Sequence, residues 1–161
     1  MIEPRFLDAL RIVCDRLDGC PSPWAITGSL GMALQGMDLE IHDIDLQTDQ
    51  SGADEIEKRL AEYTSVPVRY LASERIRSYL GAFEIEGVKV EVMGDIQKRL
   101  EDGTWEAPVR VEDYRQWLDY DGLRLPVLSL DYEVQAYRKM GRIEKAEKIR
   151  RWLDEHRPLK D

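Results

Sequence analysis

Trp24-Ala25-Ile26-Thr27-Gly28-Ser29, followed after thirteen residues by Asp43-Ile44-Asp45-Leu46, decides the reading of this chain. The first stretch is a short apolar strand running into a Gly-Ser turn, with a helix-sized segment behind it. The second places two carboxylates one residue apart inside an apolar run. Side chains in a strand alternate faces, so Asp43 and Asp45 point one way while Ile44 and Leu46 point the other. Two carboxylates held side by side repel unless cations bind them. Oxygen ligands of this kind suit Mg²⁺, which takes one or two carboxylates together with substrate phosphates. Glycine lets backbone approach a phosphate closely, and a helix N-terminus attracts anions. The two halves together point to a site for a metal-bound nucleoside triphosphate.

Strand periodicity offers a further acid. In Val88-Lys89-Val90-Glu91-Val92-Met93 the valines share one face, and Lys89, Glu91 and Met93 the other. Glu91 reads either as a third metal ligand or as a solvated partner of Lys89. Asp95, just past this strand, is the fallback ligand.

The order apolar-Gly-Ser, spacer, Asp-x-Asp resembles the nucleotidyltransferase superfamily with the DNA polymerase β-like fold. The segment from Ser129-Leu130-Asp131-Tyr132-Glu133 to Lys139-Met140-Gly141-Arg142 is similar to one in small bacterial antibiotic-nucleotidyltransferase-like and abortive-infection-toxin-like proteins. This resemblance spans residues 24–150. It implies that Gly28 and Ser29 contact the triphosphate, and that Asp43, Asp45 and Glu91 hold the metal and serve catalysis. Lys139 and Arg142 would neutralise the phosphates. The implied cofactor is Mg²⁺ or Mn²⁺, with an NTP, most simply ATP, as substrate. The implied reaction moves a nucleoside monophosphate (AMP in the simplest case) to an acceptor hydroxyl and releases pyrophosphate, with Glu91 a candidate general base. The chain departs from the family where the third carboxylate is usually Asp. It also has Leu39-Glu40-Ile41-His42 where toxin-like relatives place Arg and Thr before the first Asp. These departures motivate an alternative: a catalytically inactive nucleotide- or partner-binding module of the same fold, such as a toxin–antitoxin component.

Bulk properties bound the rest. At 161 residues the chain reads as a single domain, residues 1–161, with a core at 24–95 and a C-terminal helical segment at 129–156. An apolar fraction of 43% against 34% charged residues fits a globular chain and excludes a disordered one. No apolar run approaches the ~20 residues of a membrane helix, and the N-terminus lacks a secretion signal, so a cytoplasmic protein is expected. Cys14 and Cys20 read as reduced thiols, Cys14 near the core. The net charge of −9 argues against broad nonspecific nucleic-acid binding and permits a cationic small molecule or a protein as acceptor; a tRNA acceptor fits less well, though the basic C-terminal stripe keeps it open. Oligomerisation stays open.

Periodicity gives a coarse map. Phe6, Leu10, Val13 and Leu17 mark a helix over 4–17. Strands are expected at 24–27, 44–48 and 66–71, with a hairpin of 83–86 and 88–93 around Gly87 and the clearest later strand at 123–128. Ser29 would cap a helix ending near Gln35. Further helices are expected at 53–63, 130–140 and 142–156. Lys145, Lys148 and Arg151 read as a solvated helix face, His42 as a loop residue, Tyr137 as packing, and Trp105 as a residue of a polar, mobile 101–108 loop. The whole reads as α/β (α+β): a mixed β-sheet with flanking helices, the nucleotidyltransferase fold, closed by C-terminal helices.

Overall fold

The computed structural model describes residues 2–157. Helix α1 (Pro4–Leu17) leads to strand β1 (Ala25–Thr27), helix α2 (Gly28–Leu34), strand β2 (Ile44–Thr48) and helix α3 (Gln50–Arg59). Strands β3 (Thr64–Ala72), β4 (Ile76–Ile85) and β5 (Val88–Lys98) form a meander. A second hairpin, β6 (Arg115–Tyr120) and β7 (Leu123–Leu128), precedes helices α4 (Leu130–Lys139) and α5 (Ile143–His156).

All strands join one seven-stranded mixed sheet in the order β3-β4-β5-β2-β1-β7-β6. β2 runs parallel to β5 and antiparallel to β1, and β1 runs parallel to β7. This is the mixed sheet with flanking helices expected from the sequence.

The sheet has two unlike faces. Ile44, Leu46, Phe83, Val90 and Val92 are fully buried and pack in one apolar cluster with Phe6 and Leu10 of α1 and Ile56 of α3. Burying such side chains contributes roughly 1.5–3 kcal/mol each and fixes which way the strands face. The alternate residues of the same strands, Asp43, Asp45 and Glu91 among them, lie on the opposite face. There, the α4–α5 pair packs beside α2 through Met32, Val134, Tyr137 and Ile149.

Several boundaries differ from the periodicity reading, each for a local reason. α2 starts at Gly28 with Thr27 as its N-cap residue, so Ser29 sits inside the first turn rather than capping it. α3 starts at Gln50 because the Asp49 carboxylate accepts from the Gly52 amide at 2.6 Å. β4 and β5 are far longer than the short hairpin expected. Gly81 keeps its place opposite Val92, and past Gly94 a bulge at Asp95 shifts the register by one residue before pairing resumes at Gln97, the meander being held on its two sides by β3 and β2. The hairpin turn is Glu86-Gly87, both with positive φ, as a two-residue turn between twisted strands requires. No helix among the described residues is long and apolar enough to cross a membrane.

Candidate active site

Backbone register brings the acids together. Asp45 on β2 lies opposite Glu91 on β5, and Thr27 at the end of β1 lies opposite Asp45. Asp43, just before β2, completes a cluster in which one carboxylate oxygen from each of Asp43, Asp45 and Glu91 lies within 4.8 Å of the others. All three are half-buried. Burial, then the charges of Glu91 and Asp43, push the Asp45 pKa up to about 6. Three oxygen donors at this spacing fit a hard divalent ion. Lys89 supplies positive charge to the set, its ammonium 3.3 Å from Glu91. Asp95 stays outside the cluster, beside Asp49 and the Gln50 amide at the far end of β5.

The Gly-Ser turn stands directly against the acids. Gly28 has φ +68°, and a Cβ there would come within 2.5 Å of Asp45 Oδ2, so no other residue fits without displacing the carboxylate. Ser29 Oγ accepts from the His42 amide at 3.3 Å, tying the turn to the loop that delivers Asp43. The first turn of α2 therefore starts directly against Asp45, with the Ser29 hydroxyl held at the loop that leads to Asp43.

Helices α4 and α5 supply a wall that periodicity alone does not reveal. Glu133 is buried, 4% exposed, and accepts from Thr27 Oγ1, with the Gly28 amide beside it. Burial pushes its pKa up to about 7, partly offset by Thr27, the Gly28 amide, Lys98 and Lys145. The residue stands in the stretch quoted above, but a lone Glu in an amphipathic helix carries no signal that its side chain faces inward. Lys145, read from sequence as solvated surface, is half-buried, 4.6 Å from the Tyr137 ring centre and within electrostatic reach of Glu133 and Asp45. Burial and the neighbouring Arg142 lower its pKa, while Glu133 and Asp45 oppose the shift. Arg142 lies over the same ring at 5.2 Å. Tyr137 is thus both packing and the platform of two cations.

Lys139 is placed elsewhere. Its ammonium donates to Glu106 Oε1 at 2.9 Å, and Glu106 Oε2 accepts from buried Lys98 Nζ at 3.2 Å. Burial works against ionisation of Glu106, but the two lysines outweigh it and hold its pKa below the ordinary value. Lys98 also donates to Tyr132 Oη, which accepts from Gln47, two residues beyond Asp45. The 101–108 segment is consequently anchored by Glu106, and Trp105 lies under Arg77 at 4.3 Å. Tyr114 packs against Tyr132 with ring centres 4.9 Å apart.

A strand–Gly-Ser–helix unit facing three carboxylates on parallel neighbouring strands defines a nucleotidyltransferase-like fold. A sequence profile of the aminoglycoside-2''-adenylyltransferase family matches residues 9–151, and the chain belongs to that family. Among solved structures, it is 52% identical to a Thermotoga maritima protein (TM1012) provisionally assigned as a nucleotidyltransferase, with 97% of each chain covered and a TM-score of 0.85. The fold is shared with the lincosamide antibiotic adenylyltransferase LnuA in its lincomycin-bound form, at 15% identity, TM-score 0.57 and coverage of 88% of this chain and 96% of that one. It is also shared with the antibiotic-resistance factor ANT(2'')-Ia, at 14% identity, TM-score 0.52 and coverage of 98% and 76%. No curated protein matches the chain.

Proposed function

We propose that this protein, acting as one domain, transfers a nucleoside monophosphate, AMP in the simplest case, from an NTP to an acceptor hydroxyl with release of pyrophosphate. The observation that carries the reading is the convergence of Asp43, Asp45 and Glu91 within 4.8 Å of one another, directly against the Gly28–Ser29 turn. Asp43, Asp45 and Glu91 would hold Mg²⁺ or Mn²⁺, which supplies charge neutralisation at the triphosphate and Lewis acidity at the reacting oxygens when bound. The Gly28–Ser29 turn cradles the outer phosphates with backbone amides and the Ser29 hydroxyl. Lys145 and Arg142, carried on the Tyr137 ring, meet the negative charge that gathers on departing pyrophosphate. Lys139, engaged by Glu106, supports the wall instead. Glu91 lies nearest the open side of the sheet and is the residue to orient the acceptor hydroxyl and accept its proton.

Membership of an adenylyltransferase family and a fold shared with two antibiotic adenylyltransferases support this chemistry and a small-molecule acceptor. Calorimetry with ATP, with and without Mg²⁺, tests it on the native chain and on Asp45→Asn. Metal-dependent binding lost in the variant, together with pyrophosphate release in an acceptor screen, is the expected result. Binding indifferent to Asp45 overturns the reading. The ion pair of Lys89 with Glu91 favours one other reading, a module that binds nucleotide without transferring it. Metal-dependent ATP binding with no pyrophosphate released from any acceptor would establish that one.

A further inference from the structure

One row of side chains crosses four strands on the carboxylate face. Asp45 on β2 lies opposite Glu91 on β5, Glu91 opposite Ala82 on β4, and Ala82 opposite Val66 on β3 at the sheet edge. Directly opposed residues of neighbouring strands share a face. Past a register shift in β3 between Val66 and Arg69, the next row runs from Gln47 through Met93 and Leu80 to Arg69. Helix α4 walls the β2 side of this face, with Tyr132 on Gln47 and Glu133 on Thr27. On the β3–β4–β5 side, a cleft of about 450 Å³ starts at Glu91 and Lys89 and ends at Val66, Arg69 and Leu71. Strands lie ~4.8 Å apart, so Val66 stands roughly 10 Å from Glu91. That reach and volume match a small molecule with one end at the carboxylates.

The lining selects among acceptors. The floor is hydrocarbon: Ala82 and Leu80, with Val66 and Leu71 exposed at 38% and 40%. The charged groups are Arg69 and Lys89 against Glu84 and Glu91. Glu91 is already engaged by Lys89 and belongs to the proposed metal set, which leaves Glu84 as the carboxylate available to a cationic acceptor. A polyamine would have to place several ammonium groups between two cations and an aliphatic floor, at the cost of their hydration. The net charge of −9 attracts cations at long range, but over the ~8–10 Å of a Debye length the cleft's own balance decides.

We infer that the acceptor of this site is an amphiphilic hydroxyl compound, with an aliphatic body lying on Val66, Leu80 and Ala82, a hydroxyl at Glu91 and at most one positive charge, rather than a polyamino sugar. This rests on the nucleotidyltransferase reading of the carboxylates. The occupant is a small molecule because only two strand spacings separate Glu91 from Val66 at the sheet edge.

The test is calorimetric titration of the full chain, loaded with Mg²⁺ and a non-hydrolysable ATP analogue. The probes are octyl glucoside below its micellar concentration and an aminocyclitol glycoside carrying five amines. The glucoside is expected to bind about tenfold or more tightly than the polyamine, and Val66→Lys to weaken it at least about fivefold, as loss of a buried aliphatic contact implies. Leu71→Lys on the same strand is the second variant should the first not fold. Tighter binding of the polyamine, indifference of the glucoside to both substitutions, or no glucoside binding while the ATP analogue still binds overturns the inference and leaves the nucleotide site standing. Failure of the ATP analogue itself to bind with Mg²⁺ overturns the nucleotide reading, and this inference with it.

Discussion

Glu133 on α4 accepts a hydrogen bond from Thr27 Oγ1 at the end of β1, joining positions 106 residues apart at the hinge of the Gly-Ser turn. The Gly28 amide lies beside the same carboxyl group and favours its charge. One buried acid therefore fixes the turn whose glycine touches Asp45, and the C-terminal helices become part of the site through it.

Glu133→Ala strands the Thr27 hydroxyl, at an expected cost of roughly 1–3 kcal/mol in urea unfolding. Glu133→Gln keeps an acceptor for it. The native carboxyl, pushed up to about 7 from an ordinary 4.5, holds its proton in the folded state where the unfolded chain has lost it. Its stability contribution is therefore greatest below pH 4.5 and falls as pH rises toward 7, by roughly 3 kcal/mol. Glu133→Gln should flatten that slope and leave the variant more stable than the native chain at pH 8. An unchanged slope would assign the pH dependence elsewhere.

Asp45 carries a second, metal-linked dependence. With its pKa pushed up to about 6, protons compete with a divalent ion below that pH. Mn²⁺ affinity, read by calorimetry or electron paramagnetic resonance, should weaken by about tenfold between pH 7 and pH 5. In metal-free buffer at pH 8, Asp45→Asn should raise the Tm, because it removes one charge from a repelling set. A lower Tm there would mean that the three carboxylates are not in mutual strain.

Gly28→Ala should disable the nucleotide site while leaving the fold in place. The positive φ costs about 1 kcal/mol or more for a residue with a Cβ, and that Cβ would come within 2.5 Å of Asp45 Oδ2. Mg²⁺-dependent ATP binding is expected to disappear while far-ultraviolet circular dichroism stays native. Retained binding would show that the carboxylate can retreat without losing its ligand role.

The two lysines near the C-terminus should separate cleanly. Lys145→Ala is expected to raise the NTP KM by about tenfold or more, the loss of one charge-assisted phosphate contact. Lys139→Ala should leave KM within about twofold and lower stability, because it removes a partner of Glu106 and exposes the Lys98 pairing to imbalance. The reverse pattern in KM would restore Lys139 to the phosphate site.

The acidic half of the site was legible because strand alternation is local. Asp43, Asp45 and Glu91 declare their common face within a few residues, and the valines around Glu91 fix its direction. What sequence could not show is direction set by tertiary contact. Lys139 and Lys145 are both basic residues near the end of the chain, and only the packing of α4 on α5 sends one to Glu106 and the other toward Asp45. Glu133 was hidden for the same reason, since a helix period does not say which polar residue meets a turn 106 positions away. The long β4–β5 ladder was hidden because glycines lower local strand preference, while pairing on both sides restores it.

The ladder between β2 and β5 holds five consecutive partners, from Ile44 opposite Val90 to Thr48 opposite Gly94. Moving either strand by a single residue would turn its acids inward among Phe6, Leu10 and Ile56, and its aliphatic residues outward. A mispaired chain would thus have to bury bare carboxylates in hydrocarbon, a penalty that ordinary polar strand residues would impose far less sharply. The same acids that gather on this surface therefore act as proofreaders of assembly: the register that folds is the one that brings them together.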